Sequence, residues 1–182
     1  NWNANQLQGN NIANIAPTNG QILSWDTPSN AWKPTSPATI LVDANRSTSY
    51  TLLPGSNYNV LIYDNPTINE GAVYNNTTGI FTAPSFGLYQ IIVSNMFNFI
   101  STIQNISTLK LRVIINGSAV NLETAGFGFF GDGNTGSNNV NCNTMVMLNA
   151  NDTLRIDIGD INGTVSPQIG IGQHNLKIIR LR

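Results

Sequence analysis

At 182 residues and 19.7 kDa the chain is sized for one domain with room for a short appendage. Apolar residues make up 41%, but no apolar run approaches the ~20 residues that a membrane-spanning helix needs. Charged residues are only 9% and the formal net charge is −1, so there is no basic surface for phosphates; neither nucleic acid nor membrane insertion is expected. Polarity is carried instead by Asn, Ser, Thr and Gly. The single cysteine, Cys142, excludes an intrachain disulfide, which leaves the core and subunit contacts to hold the fold. The chain starts at Asn1 with no signal-like segment and is read as a piece of a longer polypeptide.

Residues 1–37 differ from the rest: they are rich in Asn, Pro and Gln and carry all three tryptophans, Trp2, Trp25 and Trp32. Pro17, Pro28, Pro34 and Pro37 interrupt any continuous helix or central strand. Gln21–Asp26 alternates like a short strand, and Thr27-Pro28-Ser29-Asn30 reads as a turn before Ala31-Trp32. Such a hairpin is too small to fold alone, so 1–37 is expected to be a neck that needs a partner.

From residue 38 to 182 the pattern is all-β. Period-two apolar runs recur at Asn59–Tyr63, Leu88–Phe99, Leu109–Ile115, Thr144–Leu148, Leu154–Ile158 and Leu176–Leu181, with Gly, Asn and Pro between them. This spacing predicts an antiparallel sandwich or jelly roll. In Leu109–Ile115, Leu109, Leu111, Val113 and Ile115 share one face and Lys110 and Arg112 the other. In Leu154–Ile158 the odd one is Asp157, expected with Arg155 on the solvated side. Two strands break this rule. Tyr89, Ile91 and Val93 face one way, yet Leu88, Ile92 and Met96 are apolar on the other; Met145 and Met147 likewise oppose Val146 and Leu148. A strand apolar on both faces needs a second cover, and another subunit is the simplest one where no amphipathic helix exists.

The stretch Tyr63–Gln90 carries Tyr74, Thr78-Gly79-Ile80-Phe81, Ala83-Pro84 and Gly87-Leu88-Tyr89. This closely resembles the signature of the complement globular-head and tumour-necrosis-factor-like superfamily. Leu111–Gly117, with its Asn-Gly turn, and Leu148-Asn-Ala-Asn-Asp-Thr-Leu-Arg-Ile156 extend the resemblance, with Asn151 standing where that family has Gly. The terminal strand His174–Arg182 fits the family's last strand, though its Phe is absent. The resemblance spans about residues 50–182 and implies a ten-strand TNF-like jelly roll that assembles as a compact homotrimer. Tyr74, Phe81, Tyr89, Ile91, Val93, Met145 and Met147 are expected in its core or trimer interface. Leu7-Gln8-Gly9, Pro17–Trp25 and Trp32-Lys33-Pro34 resemble neck segments that precede the heads of phage tail fibres and of microbial or viral surface proteins.

Catalytic and metal chemistry finds little support. One histidine, His174, cannot build a multi-His metal site and reads as structural or surface. Cys142 has no CxxC partner and no basic neighbour to activate it, so a buried inert thiol is expected. No nucleophile elbow is present, and the carboxylates, Asp152 among them, fall at turns and strand ends without a glycosidase-like pairing. No enzyme activity, cofactor or metal is expected. Asp132-Gly133-Asn134-Thr135-Gly136 has alternating oxygen donors but lacks the closing acid of a calcium loop. Phe127, Phe129 and Phe130 stand before it, with Asn138 and Asn139 after it; these residues, with Asp132 and Asn134, either stack and hydrogen-bond a ligand or pack in the core or interface. The expected role is a non-enzymatic homotrimeric head at the tip of a longer extracellular protein on a virion, cell or spore surface, binding a cell-surface glycan or receptor protein. A structural cap of a fibre and a secreted signalling ligand are the alternatives.

Overall fold

The structure is a computed structural model describing residues 5–35, 37–48, 50–51, 58–100, 105–130, 135–160 and 168–181. Side chains are described throughout these ranges except at 50–51, 97–100, 105–109, 120–130, 135–138, 160 and 168–173. The chain divides into two compact units, Asn1–Thr39 with Leu181–Arg182, and Ile40–Arg180.

The first unit holds two small antiparallel ribbons: β1 (Gln6–Leu7) with β2 (Asn10–Asn11), and β3 (Ile22–Asp26) with β4 (Ala31–Thr35). The β3–β4 connection is a single 3₁₀ turn, Thr27–Ser29, closed at both ends. Asp26 accepts from the Ser29 backbone N–H at 3.1 Å, and Asn30 takes the left-handed conformation (φ 50°) that Asn tolerates better than most residues. Trp25 and Trp32 are cross-strand partners packed edge to face at 5.5 Å, and the Lys33 Nζ–Asp26 pair at 2.8 Å closes the turn end of the ribbon.

The second unit is an antiparallel sandwich, and among the described residues it has no α-helix. Its strands are β5 (Thr39–Asn45), β6 (Tyr50–Thr51), β7 (Asn59–Val60), β8 (Asn65–Asn69), β9 (Tyr74–Asn75), β10 (Ile80–Thr82), β11 (Gly87–Ile100), β12 (Asn105–Ile115), β13 (Ser118–Phe130), β14 (Thr135–Leu148), β15 (Thr153–Asp160) and β16 (Gln168–Arg180). One sheet runs β13-β12-β15-β10-β9 and the other β14-β11-β16-β5-β8; β7 and β6 add two-residue pairings to β15 and β16. The ten strands on these two paths form a jelly roll of the TNF-like kind.

Alternation along the strands builds the core. Tyr89, Ile91 and Val93 of β11, Leu111 and Val113 of β12, Leu154, Ile156 and Ile158 of β15 and Leu176 and Ile178 of β16 are buried together, with Tyr63, Tyr74 and Phe81. Phe81 meets Tyr89 edge to face at 5.8 Å, and the Tyr89 hydroxyl donates to the Ser85 carbonyl at 2.6 Å, so its one polar atom is satisfied.

Left-handed residues set the corners. Asn116 (φ 49°) and Gly117 (φ 80°) make the two-residue β12–β13 hairpin whose twist matches the strands. Asn151 (φ 70°) turns β14 into β15, which explains how Asn replaces Gly there. These two turns are tied together: Asn116 Nδ2 donates to Asp152 Oδ1 at 2.8 Å, and the Thr153 N–H donates to Asn116 Oδ1 at 2.8 Å. Asp152 is therefore the turn residue its position suggested.

The structure also adds strands that periodicity did not reveal. β5 and β8 are short, and Asp43 and Pro66 interrupt their apolar pattern. The expected strand at Asn59–Tyr63 shrinks to β7, although Leu61 and Tyr63 remain buried. β13 carries Phe127, Phe129 and Phe130 into regular pairing with Thr108, Ile106 and Asn105 of β12, where a loop flank was expected.

Candidate functional site

The β14-β11-β16-β5-β8 sheet buries one face in the core and leaves the other open. Along β14, Val140, Cys142 and Leu148 are buried while Asn139, Asn141, Asn143, Met145 and Met147 are exposed. Along β11, Leu88, Gln90, Ile92 and Met96 are the half-buried outward set. Register fixes how they meet: Leu88 opposes Met147, Gln90 opposes Met145 on one side and Ile179 on the other, and Ile92 opposes Asn143 and Lys177.

The open face changes character along its length. At one end Met145 and Met147 are 59% and 54% exposed beside Leu88 and Ile179, and Phe86, just before β11, is 63% exposed. In the middle Gln90 Nε2 donates to Asn143 Oδ1 at 3.0 Å and Lys177 Nζ pairs with Asp43 at 3.2 Å. Asp43 opposes the exposed Ile68 on β8. At the other end Asn175 Nδ2 donates to Asp43 at 2.8 Å and to Asn45 at 3.1 Å, with Ser94, Asn139 and Asn141 nearby in register. Exposed methionines are uncommon on a lone soluble surface, and here they continue into an apolar strip.

The seven residues expected in core or interface separate cleanly. Tyr74, Phe81, Tyr89, Ile91 and Val93 are buried in the core, and Met145 and Met147 stand on the open face. Sequence reading missed Phe86, Ile179 and Ile68 as contributors to exposed apolar surface. For Ile179 the signal was available, because it has the opposite parity to the buried Leu176 and Ile178.

The expected ligand residues that are described lie on β13 and β14. β13 and β14 are terminal strands of the two sheets and approach each other, and residues 131–134 connect them. Phe127, Phe129 and Phe130 are on β13, with side chains outside the described set; Asp132 and Asn134, and with them the calcium-loop reading, lie outside the described residues altogether. Asn138 and Asn139 are not loop residues: they pair with Phe97 and Met96 of β11, and Asn139 is exposed.

The outer face of the opposite sheet corrects one expectation. Asp157 points outward by parity but is buried, not solvated, because Arg155 and Arg112 cover it at 2.9 and 3.5 Å. The Arg112 guanidinium in turn stacks on the Tyr58 ring.

A polar cluster lies inside the sandwich. Tyr63 Oη donates to Asn95 Oδ1 at 3.1 Å, and His174 Nδ1 lies 3.0 Å from the same oxygen. Since Oδ1 only accepts, His174 carries its proton on Nδ1. Arg46 donates to the Thr48 carbonyl at 2.7 Å and to the Ile62 carbonyl, and its backbone N–H donates to the His174 carbonyl at 3.3 Å. Burial, reinforced by the Arg46 charge, lowers His174 from 6.5 to about 4. Burial raises Tyr63 well above the ordinary phenol range and Tyr74 to about 12, and it raises the Cys142 thiol, which is thereby kept neutral and inert. Among the described residues no group of three or more His, Cys, Asp or Glu is placed to hold a metal ion.

In the first unit, Ile12, Ile15, Pro17, Ile22, Leu23 and Pro34 line an apolar groove of about 270 Å³.

The fold has solved counterparts. It is similar to murine APRIL (crystal structure at pH 8.0) with a TM-score of 0.50 and 11% identity, covering 79% of this chain and 99% of that one. The globular domain of the zebrafish complement 1qA protein gives a TM-score of 0.49 at 12% identity, covering 80% and 97%. At such identity the APRIL likeness establishes fold alone. No protein-family model matches the sequence, and no curated protein does.

Proposed function

We propose that the chain is a non-enzymatic homotrimeric recognition head, carried at the tip of a longer extracellular surface or fibre protein. The observation that carries this reading is the open apolar face of the β14-β11-β16-β5-β8 sheet, centred on Met145 and Met147, on a fold that resembles the TNF-like jelly roll. Three copies packed through this face would bury the apolar strip and leave the sandwich edges free. Residues 1–37 serve as the neck, and the exposed Ile15, Ile22 and Leu23 are the contacts that other copies would cover. Ligand recognition is assigned to Phe127, Phe129, Phe130, Asp132, Asn134, Asn138 and Asn139, with a cell-surface glycan or receptor protein as the ligand. Three weak sites on one rigid tip gain avidity without any single tight contact.

The test has two stages. Light scattering on a size-exclusion column should give a mass near three times 19.7 kDa that survives dilution. The trimer is then screened on glycan arrays and cells, with Phe129→Ala and Asn139→Ala variants alongside. Binding lost in the variants with the trimer intact supports the recognition head. A trimer that binds nothing supports a structural cap of a fibre, and a monomer refutes the assembly reading.

A further inference from the structure

His174 is the chain's one histidine, and it lies in the interior with 1% of its surface exposed. It lies on β16 at an irregular point: its register partner is Asn95, and the β11–β16 pairing shifts register between Asn95 and Phe97. The β11–β16 ladder is thus interrupted where a titratable ring is buried. From β11, Asn95 holds the ring; just after β5, the Arg46 backbone N–H donates to the His174 carbonyl at 3.3 Å, and the charge of its guanidinium acts on the ring. Tyr63 shares the Asn95 oxygen, and Tyr74 accepts from the Tyr63 backbone N–H at 3.0 Å. Cys142 of β14 faces Tyr63, and the carboxylate near Arg46 is Asp64, held by Ser47 and by Thr48 Oγ1 at 2.7 Å. The Asp43–Lys177 pair flanks the next residue, Asn175, on the outer side of the sheet. Asn95 Oδ1 already receives both Tyr63 Oη and His174 Nδ1, and Asn95 Nδ2 is buried without a partner among the described residues.

We propose that the buried His174–Asn95–Tyr63 cluster, set against Arg46, is an acid-responsive release element that holds the β11–β16 seam closed at neutral pH and opens it on acidification. Protonation converts the buried ring to a second cation within the field of the Arg46 guanidinium, and burial disfavours that charge. The folded state resists that proton down to about pH 4, whereas an unfolded chain accepts it near 6.5. The sign follows: the unfolded state binds more protons in this window, so stability is full above pH 6.5 and falls as pH drops toward 4. One proton gives at most a tenfold rise in the unfolding constant per pH unit, so the whole window is worth roughly 300-fold. The carboxylates that are held low, Asp26, Asp64 and Asp152, act below this range and do not obscure it.

Because there is one imidazole, its NMR signal needs no assignment. The full chain is titrated by NMR between pH 7.5 and the acid unfolding point, and urea unfolding constants are measured at each pH from 7 to 4.5 at fixed protein concentration. The expected result is a folded-state ring that stays neutral through pH 5 and an unfolding constant that climbs about tenfold per pH unit below 6.5. His174→Gln should lose that slope. A folded-state midpoint at pH 6 or higher, or an unchanged slope in H174Q, overturns the proposal. If H174Q does not fold, the two wild-type measurements decide it alone.

Discussion

Replacing both exposed methionines by Met145→Glu and Met147→Glu should dissolve the assembly and leave the protomer folded. Burying a methionine completely is worth about 1.5–3 kcal/mol. These two are 59% and 54% exposed in the lone chain, so somewhat over half of that remains to be gained from a partner, roughly 1–1.5 kcal/mol each. Per protomer that is about 2–3 kcal/mol, and around a three-fold axis about 6–9 kcal/mol before any repulsion among six carboxylates. At 1.4 kcal/mol per decade the overall trimer dissociation constant rises by roughly four to six orders of magnitude. The concentration of half-dissociation scales as the square root of that constant, so it should shift by about two to three orders. Light scattering across a dilution series reads this directly. Circular dichroism under monomeric conditions should find the double variant within about 0.5 kcal/mol of the parent, since both side chains already face water. A double variant that stays trimeric at the parent's concentrations, or a parent that is monomeric at high concentration, refutes the reasoning.

Three further substitutions test the fold. Phe81→Ala empties a fully buried ring site against Tyr89 and should cost about 3–5 kcal/mol in urea unfolding; a cost under about 1.5 would mean the ring is not central to the core. Gly79→Ala forces a side chain onto a left-handed residue (φ 72°) and brings its Cβ to 2.9 Å from Val60 Cγ1, so a loss of about 1–3 kcal/mol is expected and an unchanged melt would contradict the turn. The Asp152 carboxyl is held below its ordinary 3.8, chiefly by the Asn116 side chain and then by the Asn149 backbone N–H. Its stabilisation is therefore complete above pH 3.8 and is lost as pH falls through the lower folded-state value; Asp152→Asn should flatten that acid limb in a pH series of thermal melts.

Parity was the most legible feature of the sequence, and it carried the reading as far as one strand can. It separated Tyr89, Ile91 and Val93 from Leu88 and Ile92, and Met145 and Met147 from Leu148, and the structure buries the first and last sets as that separation requires. It failed where a strand lacks an apolar period: Gly126 and Gly128 flank Phe127 on β13, where no strand was expected, yet backbone pairing to β12 needs no side chain there. Parity also names a face and not the neighbours on it. Asp157 was assigned correctly to the outer side, but only the fold brings Arg112 across from β12 to bury it. The polar cluster was illegible for the same reason at longer range, since His174 and Asn95 are 79 residues apart and neither sits in a motif.

That contrast bears on where function resides. A doubly apolar strand is a local signal, written in every second residue, because an assembly face must be complementary over many side chains at once. A buried histidine is a single residue, and its effect comes first from burial and then from a guanidinium placed just after β5. If both readings hold, they meet on β16 and β11: the strands that present Ile179, Lys177 and Ile92 outward are the ones whose inner faces meet at His174 and Asn95. Acid that opens the seam would then also distort the face that holds the copies together. The parent's half-dissociation concentration should accordingly rise between pH 6.5 and 4.5, and in H174Q it should stay flat over the same range. A dissociation constant with the same pH dependence in both proteins would separate the two features and leave the cluster a matter of protomer stability alone.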